Sequence, residues 1–211
     1  MKKNKMNKIA IQGIKGSYHH QVAIEYFGDK INYVECLNFD KLIDVVCESN
    51  KNIGVMAIEN SIAGSIISNY ALIDNNDLTI TGEFSLKIDH CLMALPNQTH
   101  MDIKEVHSHP MALLQCKKYF QKYNHIKLVE SNDTAEVAKK ISDENIFKIA
   151  AIASSYSADL FNLNILDSSI QTIKNNVTRF VIIRKMISKN ITTQINKVSL
   201  KIVLDDKRGS L

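Results

Sequence analysis

The stretch KIAIQGIKGSYHHQVAIEYF, residues 8–27, runs from a short apolar segment through small polar residues into an amphipathic segment. This succession predicts a β-strand, a glycine-containing turn and an α-helix that begins at once. Four later stretches repeat the pattern, at residues 52–73, 104–120, 127–141 and 148–161. Strand–helix alternation of this kind predicts an α/β fold with largely parallel sheets.

Two strand-like stretches divide these units into two groups. TITGEFSLKIDHCLMAL, residues 79–95, connects the first two units to the last three, and NNVTRFVII, residues 175–183, follows the fifth unit. We interpret them as the outgoing and returning connections between two lobes with mainly parallel sheets, on the plan of the periplasmic binding proteins. Lobe 1 is expected to span about 8–84 and 174–185, and lobe 2 about 88–172, with the active site in the cleft between them.

The C-terminal part of the chain does not follow this pattern. Residues 186–196 are polar, and we interpret them as a linker. Within residues 197–211, VSLKIVL alternates like a strand and DDKRGSL is typical of a loop. Because a single strand and loop cannot bury an apolar face by themselves, we expect this segment to be the truncated start of a second domain.

Charge and apolar patterning exclude several classes of protein. The 211 residues carry a formal net charge of +4, and much of it comes from Lys2, Lys3, Lys5 and Lys8. The remainder is close to neutral, so no basic patch indicates a nucleic-acid partner. The longest apolar runs are too short to span a bilayer, and no apolar region follows the basic N-terminus as in a signal peptide.

The cysteines point to a reducing compartment. They lie in apolar contexts and have neither the spacing of a disulfide framework nor that of a zinc site. They are Cys36, Cys47, Cys91 and Cys116. We therefore expect a cytoplasmic protein with neither a membrane nor a nucleic-acid partner.

Uncharged hydrogen-bonding residues recur where the predicted strands end and the helices begin. At this edge of a parallel sheet the free N–H groups and the dipoles of the helices favour an anion. The residues include Ser17, Asn60, Ser61, Ser108 and Thr134. One interpretation is that each only caps its helix. The alternative, suggested by their number, is a cleft that binds a small anion.

Thr178 and Arg179 introduce the apolar run that ends at Ile183. An arginine at this place either extends to solvent or meets an anion, and its guanidinium can bind a carboxylate through two parallel hydrogen bonds. Alternation along a strand puts Thr178 and Arg179 on opposite faces. His107 and His109 form an H-x-H pattern, but no acidic residue or cysteine has ligand spacing nearby, so we expect no metal site.

Taken together, these motifs resemble the prephenate dehydratase family over about residues 9–183. The first is G-x-x-G-[ST]-Y at 13–18. The others are IENSIAG at 58–64, IDHCLM at 88–93, VHSHPMALLQC at 106–116, DTAEVA at 133–138, AAIAS at 150–154 and NVTRF at 176–180. The chain departs from the family pattern at Ala63, His19 and Thr172, which changes neither the threonine nor the arginine. Residues 197–211 resemble the opening of the ACT domain that follows in this family and senses phenylalanine.

The resemblance implies a carbon–oxygen lyase that converts prephenate to phenylpyruvate in phenylalanine biosynthesis, with no cofactor and no metal. It implies that Thr178 is catalytic. Glu59 is a candidate proton donor if burial raises its pKa; the alternative is a structural carboxylate. Arg179 is expected to bind a substrate carboxylate, or else to pair with Glu59. The remaining expected substrate-binding residues are Ser17, Asn60, Ser61, Ser108, Thr134, Asn176 and Phe180.

The family also implies partners and alternatives. We expect a homodimer or homotetramer, and phenylalanine as an allosteric ligand only where the ACT domain is complete. Two other functions remain open from the sequence: arogenate dehydratase, and a non-catalytic small-anion-binding module with the same two-lobed plan.

Overall fold

The computed structural model describes residues 7–185 and, beyond them, only Lys197, Leu200 and Ile202. The predicted linker and nearly all of the predicted ACT segment therefore lie outside the described residues. Within the described part, no helix combines the length and apolar character needed to cross a bilayer.

The elements follow the strand–helix order expected from the sequence. They are β1 (Ile9–Gln12), α1 (Tyr18–Phe27), β2 (Tyr33–Cys36), α2 (Phe39–Cys47), β3 (Ile53–Asn60), β4 (Gly64–Ser65), α3 (Ile67–Asn75), β5 (Leu78–Lys87), β6 (Cys91–Ala94), β7 (Glu105–Ser108), α4 (Pro110–Phe120), β8 (Lys127–Glu130), α5 (Thr134–Asp143), β9 (Ile149–Ala153), α6 (Ser155–Leu160), β10 (Asn164–Asp167) and β11 (Val177–Lys185).

The strands form two sheets, and the two-lobed α/β plan is confirmed. The first sheet has the order β2-β1-β3-β11-β5, with β4 pairing beside β3, and the second has the order β10-β6-β9-β7-β8. Both sheets are mixed rather than mainly parallel. In each, one strand runs against its neighbours on both sides. β11 is antiparallel to β3 and to β5, and β6 is antiparallel to β9 and to β10, while the three strands β2, β1 and β3 and the three strands β9, β7 and β8 are parallel.

Each sheet is packed with apolar side chains on both faces. In the first sheet, α1 covers one face through Val22 and Ala23, and α2 covers the other through Leu42 and Val46. In the second sheet, α4 covers one face, and α5 and α6 cover the other. Strands buried on both sides explain the continuous apolar runs from which they were predicted.

The connections between the two sheets run side by side. The backbone N–H of Ile88 donates to the carbonyl of Asn176 at 2.8 Å, where the outgoing and returning chains meet. The backbone N–H of His90 donates to the side chain of Gln171 at 2.9 Å. This pairing holds the start of β11 beside the exit from β5, and it fixes where β11 enters the first sheet.

A β-bulge in β3 shifts its pairing with β11 between Arg179 and Phe180, just after the two residues expected to act on the substrate. Arg179 is opposite Glu59, but Phe180 is opposite Ala57, so Ile58 is the extra residue of β3. Without the bulge, alternation would place Asn60 on the same face as Ile58, away from Thr178. The bulge turns Asn60 towards Thr178, and the two residues pair in register.

Side chains satisfy the peptide groups of Ala57 beside the bulge. Its N–H donates to Nε2 of His19 at 3.3 Å, and its carbonyl accepts from the amide of Asn69 at 2.7 Å. Both side chains are buried. Since burial lowers the pKa of His19 to about 3, its imidazole is neutral and can accept this hydrogen bond at ordinary pH.

Candidate active site

Thr178 lies on the face of the first sheet that α1 covers, and it is only 8% exposed. Its Oγ1 accepts a hydrogen bond from Nδ2 of Asn60 at 2.9 Å. The same nitrogen donates to Oδ1 of Asn176 at 2.7 Å. Thr178, Asn60 and Asn176, three residues expected from the sequence to line the site, are therefore brought into one cluster.

The orientation of the Asn60 amide is fixed by the backbone. Its Oδ1 accepts from the N–H groups of Ile62 at 3.0 Å and Ala63 at 2.9 Å. Because an N–H can only donate, the oxygen must face this turn and the NH₂ group must face Thr178. The Asn60 donor occupies a lone pair of the Thr178 oxygen, so the hydroxyl proton of Thr178 is left free to donate to another group.

Three residues that the sequence did not single out continue the cluster: Gln115 in α4, His90 in the connection before β6, and Tyr18 at the start of α1. Nδ2 of Asn176 donates to Oε1 of Gln115 at 3.0 Å, and Nε2 of His90 lies 3.0 Å from the same oxygen. Nδ1 of His90 lies 3.0 Å from the hydroxyl of Tyr18. Each of the three stands inside a motif that carried the family resemblance, and that placement was the available signal.

Arg179 lies on the opposite face of β11, as alternation predicted. Its Nε and Nη2 donate to Oε2 of Glu83 at 3.0 and 2.8 Å, and its Nη1 is 3.7 Å from Oε2 of Glu59. The other oxygen of Glu83 contacts Lys197. The ion pair with Glu59 that the sequence left open is therefore present, but Glu83 is the closer partner.

Glu59 does not lie in the buried environment that its expected role as proton donor required. Its side chain is 47% exposed, and that of Arg179 is 38% exposed. In this conformation Glu59 fits the alternative interpretation, that of a structural carboxylate beside Arg179.

Ser17 and Ser61 both order the backbone around the cluster. Ser17 is the N-cap of α1, where its Oγ accepts from the N–H of His20 at 3.2 Å. Ser61 is exposed; its Oγ accepts from the N–H of Val177 at 2.9 Å and donates to the carbonyl of Asn175 at 3.1 Å. These bonds attach the chain after β3 to the start of β11.

Ser108 is not among the side chains that line the cleft in this conformation. It is 0% exposed, and its hydroxyl donates to the carbonyl of Ile152 in β9 at 2.7 Å. Here the hydroxyl satisfies a buried carbonyl between two strands, and its contact with a substrate stays a prediction. Phe180 is likewise enclosed, and its ring packs edge-on against His19 with the centroids 5.0 Å apart.

Thr134 is the first residue of α5, which Asp133 caps by accepting from the N–H groups of Ala135 and Glu136. This end of α5 faces the first lobe. A Cβ atom added to Gly13 would lie 2.9 Å from Oδ2 of Asp133, and Gly13 has a φ of +86°. Both facts require glycine at position 13, so the turn before α1 and the start of α5 are in close contact.

A metal ion has no evident place among the described residues, where no three His, Cys, Asp or Glu side chains form a group that could hold one.

Asp89 lies beside the Tyr18 end of the side-chain cluster around Thr178. Burial alone would raise the pKa of this carboxyl, but hydrogen bonds from Gln171 and Ser169 lower it overall. The arrangement as a whole supplies neutral directional donors on one face of β11 and charges on the other.

Comparisons of the sequence with a family model and with curated proteins agree on one family. A family model described as prephenate dehydratase matches residues 9–188. The chloroplastic arogenate dehydratase/prephenate dehydratase 2 of Arabidopsis thaliana is 34% identical over 204 residues, covering 97% of this chain and 53% of that protein. The chain spans about half the length of the curated relatives it matches.

Solved structures with the same architecture include two at more than a quarter identity. The prephenate dehydratase of Staphylococcus aureus has a TM-score of 0.73 and 26% identity, over 86% of this chain and 67% of that chain. GqqA, described as a novel type of quorum quenching acylase, has a TM-score of 0.76 and 28% identity, over 87% of this chain and 66% of that chain. One fold therefore carries more than one described activity.

Proposed function

We propose that this chain, which belongs to the prephenate dehydratase family, converts prephenate to phenylpyruvate with the loss of water and carbon dioxide. The observation that supports this most directly is the Thr178 hydroxyl. It is nearly buried and accepts from Asn60, and its own proton stays free to donate. A donor fixed in advance on a leaving oxygen is what this reaction requires of a protein.

Prephenate carries two carboxylates and a ring hydroxyl, and its ring becomes aromatic when the hydroxyl and carbon dioxide leave. Aromatisation supplies the driving force, so the chemistry needs neither a cofactor nor a metal. The Thr178 hydroxyl donates to the departing oxygen as negative charge develops on it. Removing one such preorganised donor lowers the rate by about a hundredfold or more.

Arg179 binds one carboxylate of the substrate in this proposal. Glu83 occupies the Nε–Nη2 edge of the guanidinium, whereas Nη1 has only the 3.7 Å contact with Glu59. Because Arg179 faces away from Thr178, a substrate held at Thr178 meets Arg179 only where its carboxylate reaches around the start of β11; there it would displace Glu59 and bind through Nη1 and Nη2. The pyruvyl carboxylate suits this position, because a salt bridge to the departing ring carboxylate would stabilise the ground state and oppose decarboxylation.

The proton that turns the departing hydroxide into water is supplied by the solvent in this scheme. In this proposal Asn60 and Asn176 act through the orientation of Thr178, and the Thr134 hydroxyl at the start of α5 supplies a neutral contact from the second lobe. Neutral donors hold a dianion without adding charges that would bind it too tightly before reaction.

The assay is incubation of the purified chain with prephenate, with phenylpyruvate identified as the product beside Thr178→Ala. We expect phenylpyruvate from the wild type and about a hundredfold less from the variant. Product identity matters because one similar structure is described as an acylase. Prephenate that binds but stays unchanged in the wild type would contradict the proposal and favour a non-catalytic binding module.

Arogenate is a second candidate substrate, because the Arabidopsis relative carries both dehydratase names. Arogenate has an ammonium group where prephenate has a keto oxygen, and Glu59 lies beside the arginine that would bind the neighbouring carboxylate. Comparison of kcat/KM for the two substrates decides between them. A Glu59→Gln variant that loses only arogenate turnover would assign that carboxylate to the ammonium.

We also propose a cytoplasmic homodimer or homotetramer, in keeping with the family. Phenylalanine is expected to regulate the protein only where a complete ACT domain is present. Sedimentation of the chain, with and without phenylalanine, tests both statements.

A further inference from the structure

A row of hydrogen-bonded side chains runs from α1 to Thr178, and three of its members, Tyr18, His90 and Gln115, have no part in the proposed reaction. Tyr18 is partly buried and His90 is 4% exposed. The row passes through the contacts Tyr18–His90, His90–Gln115, Gln115–Asn176, Asn176–Asn60 and Asn60–Thr178, at 3.0, 3.0, 3.0, 2.7 and 2.9 Å.

The donors and acceptors of this row are determined from its Asn60 end. Backbone N–H groups hold Oδ1 of Asn60, so its NH₂ group must donate to Asn176. Asn176 therefore presents its oxygen to Asn60 and its NH₂ group to Gln115. Gln115 must then present Oε1, which can only accept, to both Asn176 and His90.

The proton of His90 is thereby assigned to Nε2. Nδ1 is left with a lone pair, which accepts from the hydroxyl of Tyr18. The carbonyl of Asp89, at 3.2 Å, competes for the same hydroxyl proton. Burial lowers the pKa of His90, so the neutral ring that needs the Tyr18 donor is the form present at ordinary pH.

We propose that Tyr18 and His90 are positioning residues for the dehydration: the Tyr18 hydroxyl holds His90 in its Nε2–H tautomer, and His90 holds the Gln115–Asn176–Asn60 row in the orientation that leaves the Thr178 proton free. The inference rests on the proposed function, and it adds two residues that touch neither the substrate nor Thr178.

The alternative arrangement of the row shows why the tautomer matters. If Nε2 of His90 lost its proton, it would accept rather than donate, and the Gln115 amide would turn its NH₂ group towards His90. Asn176 would then face an NH₂ group instead of an oxygen, and its own amide would flip to present its oxygen to Gln115 and its NH₂ group to Asn60. Two NH₂ groups would meet between Asn176 and Asn60, and a buried donor without an acceptor is costly. Asn60 would be displaced from Thr178.

The tautomer is measured by NMR on the full chain labelled with ¹⁵N-histidine. His90 is identified as the signal lost in His90→Gln. We expect a protonated Nε2 and an unprotonated Nδ1 in the wild type, and a change in the Nδ1 signal in Tyr18→Phe. A protonated Nδ1 in the wild type would overturn the assignment of the row, whatever the enzyme does.

Kinetics test the effect on Thr178. We expect Tyr18→Phe to lower kcat by about fivefold and His90→Leu by about thirtyfold, since these remove one hydrogen bond and strand a buried partner respectively. His90→Gln keeps an amide donor near the position of Nε2, so it should recover most of the loss seen with leucine. KM should change by less than about twofold in each case, because no substrate contact is removed.

Tyr156→Phe is the matched control. The Tyr156 hydroxyl lies 3.1 Å from Nδ1 of His20, a bond of the same kind between the two lobes, but His20 has no contact with the row described above. We expect kcat of Tyr156→Phe to stay within about twofold of the wild type. An equal fall in Tyr18→Phe and Tyr156→Phe would show a general effect on lobe packing and overturn the positioning role.

Failure of the inference can be told from failure of the proposed function. A wild type that forms phenylpyruvate, with kcat unchanged in Tyr18→Phe and in folded His90→Leu, overturns the inference alone. A wild type that forms no phenylpyruvate overturns the proposed function and the positioning role of Tyr18 and His90 with it, while the tautomer measurement still reports the direction of the row.

Discussion

Thr178 and Arg179 are adjacent in sequence but face two different environments. Thr178 is nearly buried and belongs to a row of neutral side chains, in which each donor meets a defined acceptor. Arg179 is partly exposed and lies among Glu59, Glu83 and Lys197. A neutral row is directional and insensitive to salt, whereas partly exposed charges are adaptable and screened.

The difference suggests a division of labour. A directional row suits a group that must point one proton at one leaving oxygen, so changes there are expected in kcat. A mobile set of charges suits a site that exchanges a protein carboxylate for a substrate carboxylate, so changes there are expected in KM. The bulge in β3 produces the separation, because it places Asn60 beside Thr178 and Glu59 beside Arg179.

The largest effect is expected from Asn60→Asp, which replaces the NH₂ group with an oxygen that only accepts. The Thr178 hydroxyl would then donate to this oxygen and lose its free proton. We expect kcat to fall by about a hundredfold or more with a smaller change in KM. Steady-state kinetics with prephenate measure both, and Asn50→Asp, at an exposed position of the first lobe, is the control. A change confined to KM would contradict the division.

Acid is expected to lower the free energy of unfolding by protonating His19 beside the bulge. His19 accepts from Ala57 only when neutral, and its pKa falls from 6.5 unfolded to about 3 folded. The unfolded chain therefore binds the extra proton, and stability falls as the pH drops from about 6.5 towards 3. We expect this residue alone to cost about 2 kcal/mol at pH 5.

Urea unfolding at pH 7.5 and pH 5 measures that cost. His19→Gln keeps an acceptor for Ala57 without a titratable group, so it should lose about 2 kcal/mol less than the wild type between these pH values. His125→Gln, at an exposed histidine, should lose as much as the wild type. Equal losses in all three proteins would show that His19 is not the buried neutral group described above.

Arg179→Lys tests the charged face. A lysine keeps the charge but cannot form two parallel hydrogen bonds with a carboxylate. We expect KM for prephenate to rise about tenfold and kcat to change by no more than about threefold. Kinetics at two salt concentrations should show a KM that rises with salt in both proteins. A fall in kcat as large as that of Asn60→Asp would mean that Arg179 acts on the chemical step.

The smallest effect is expected from Glu83→Gln, which removes a carboxylate that competes for the Arg179 guanidinium. Because surface ion pairs contribute little, we expect KM to fall by about twofold. Glu105→Gln is the control, since Glu105 also contacts two basic side chains, His107 and Lys127, on the other lobe. A higher KM in Glu83→Gln would show that Glu83 orients Arg179 rather than competing for it.

Much of this arrangement could be predicted from the sequence. Strand–helix alternation identified the two α/β lobes, and the NVTRF stretch identified Thr178 and Arg179 with their opposite faces. The antiparallel pairing of β11 with β3 and β5 was not predicted, because apolar runs do not reveal strand direction. The bulge at Ile58 also left no local signal in the sequence.

Individual site residues were harder to predict, because the direction of a side chain depends on contacts that only the folded chain makes. Ser108 follows a strand like the other junction residues, but its hydroxyl turns inward to Ile152. Glu59 was a candidate proton donor only if it was buried, and the bulge places it beside Arg179 with 47% of its side chain exposed. Tyr18, His90 and Gln115 are far apart in sequence, and only the folded chain brings their side chains into one row.

The most direct test of the proposed function compares single turnovers of saturating prephenate by the wild type, Thr178→Ser and Thr178→Val, with prephenate affinity measured by calorimetry on the same samples. A hydroxyl that acts only on the leaving oxygen predicts a rate about a hundredfold lower for valine, partial retention for serine and similar affinity in all three. Unchanged rates with weakened affinity in Thr178→Val would contradict the assignment of Thr178 to the chemical step.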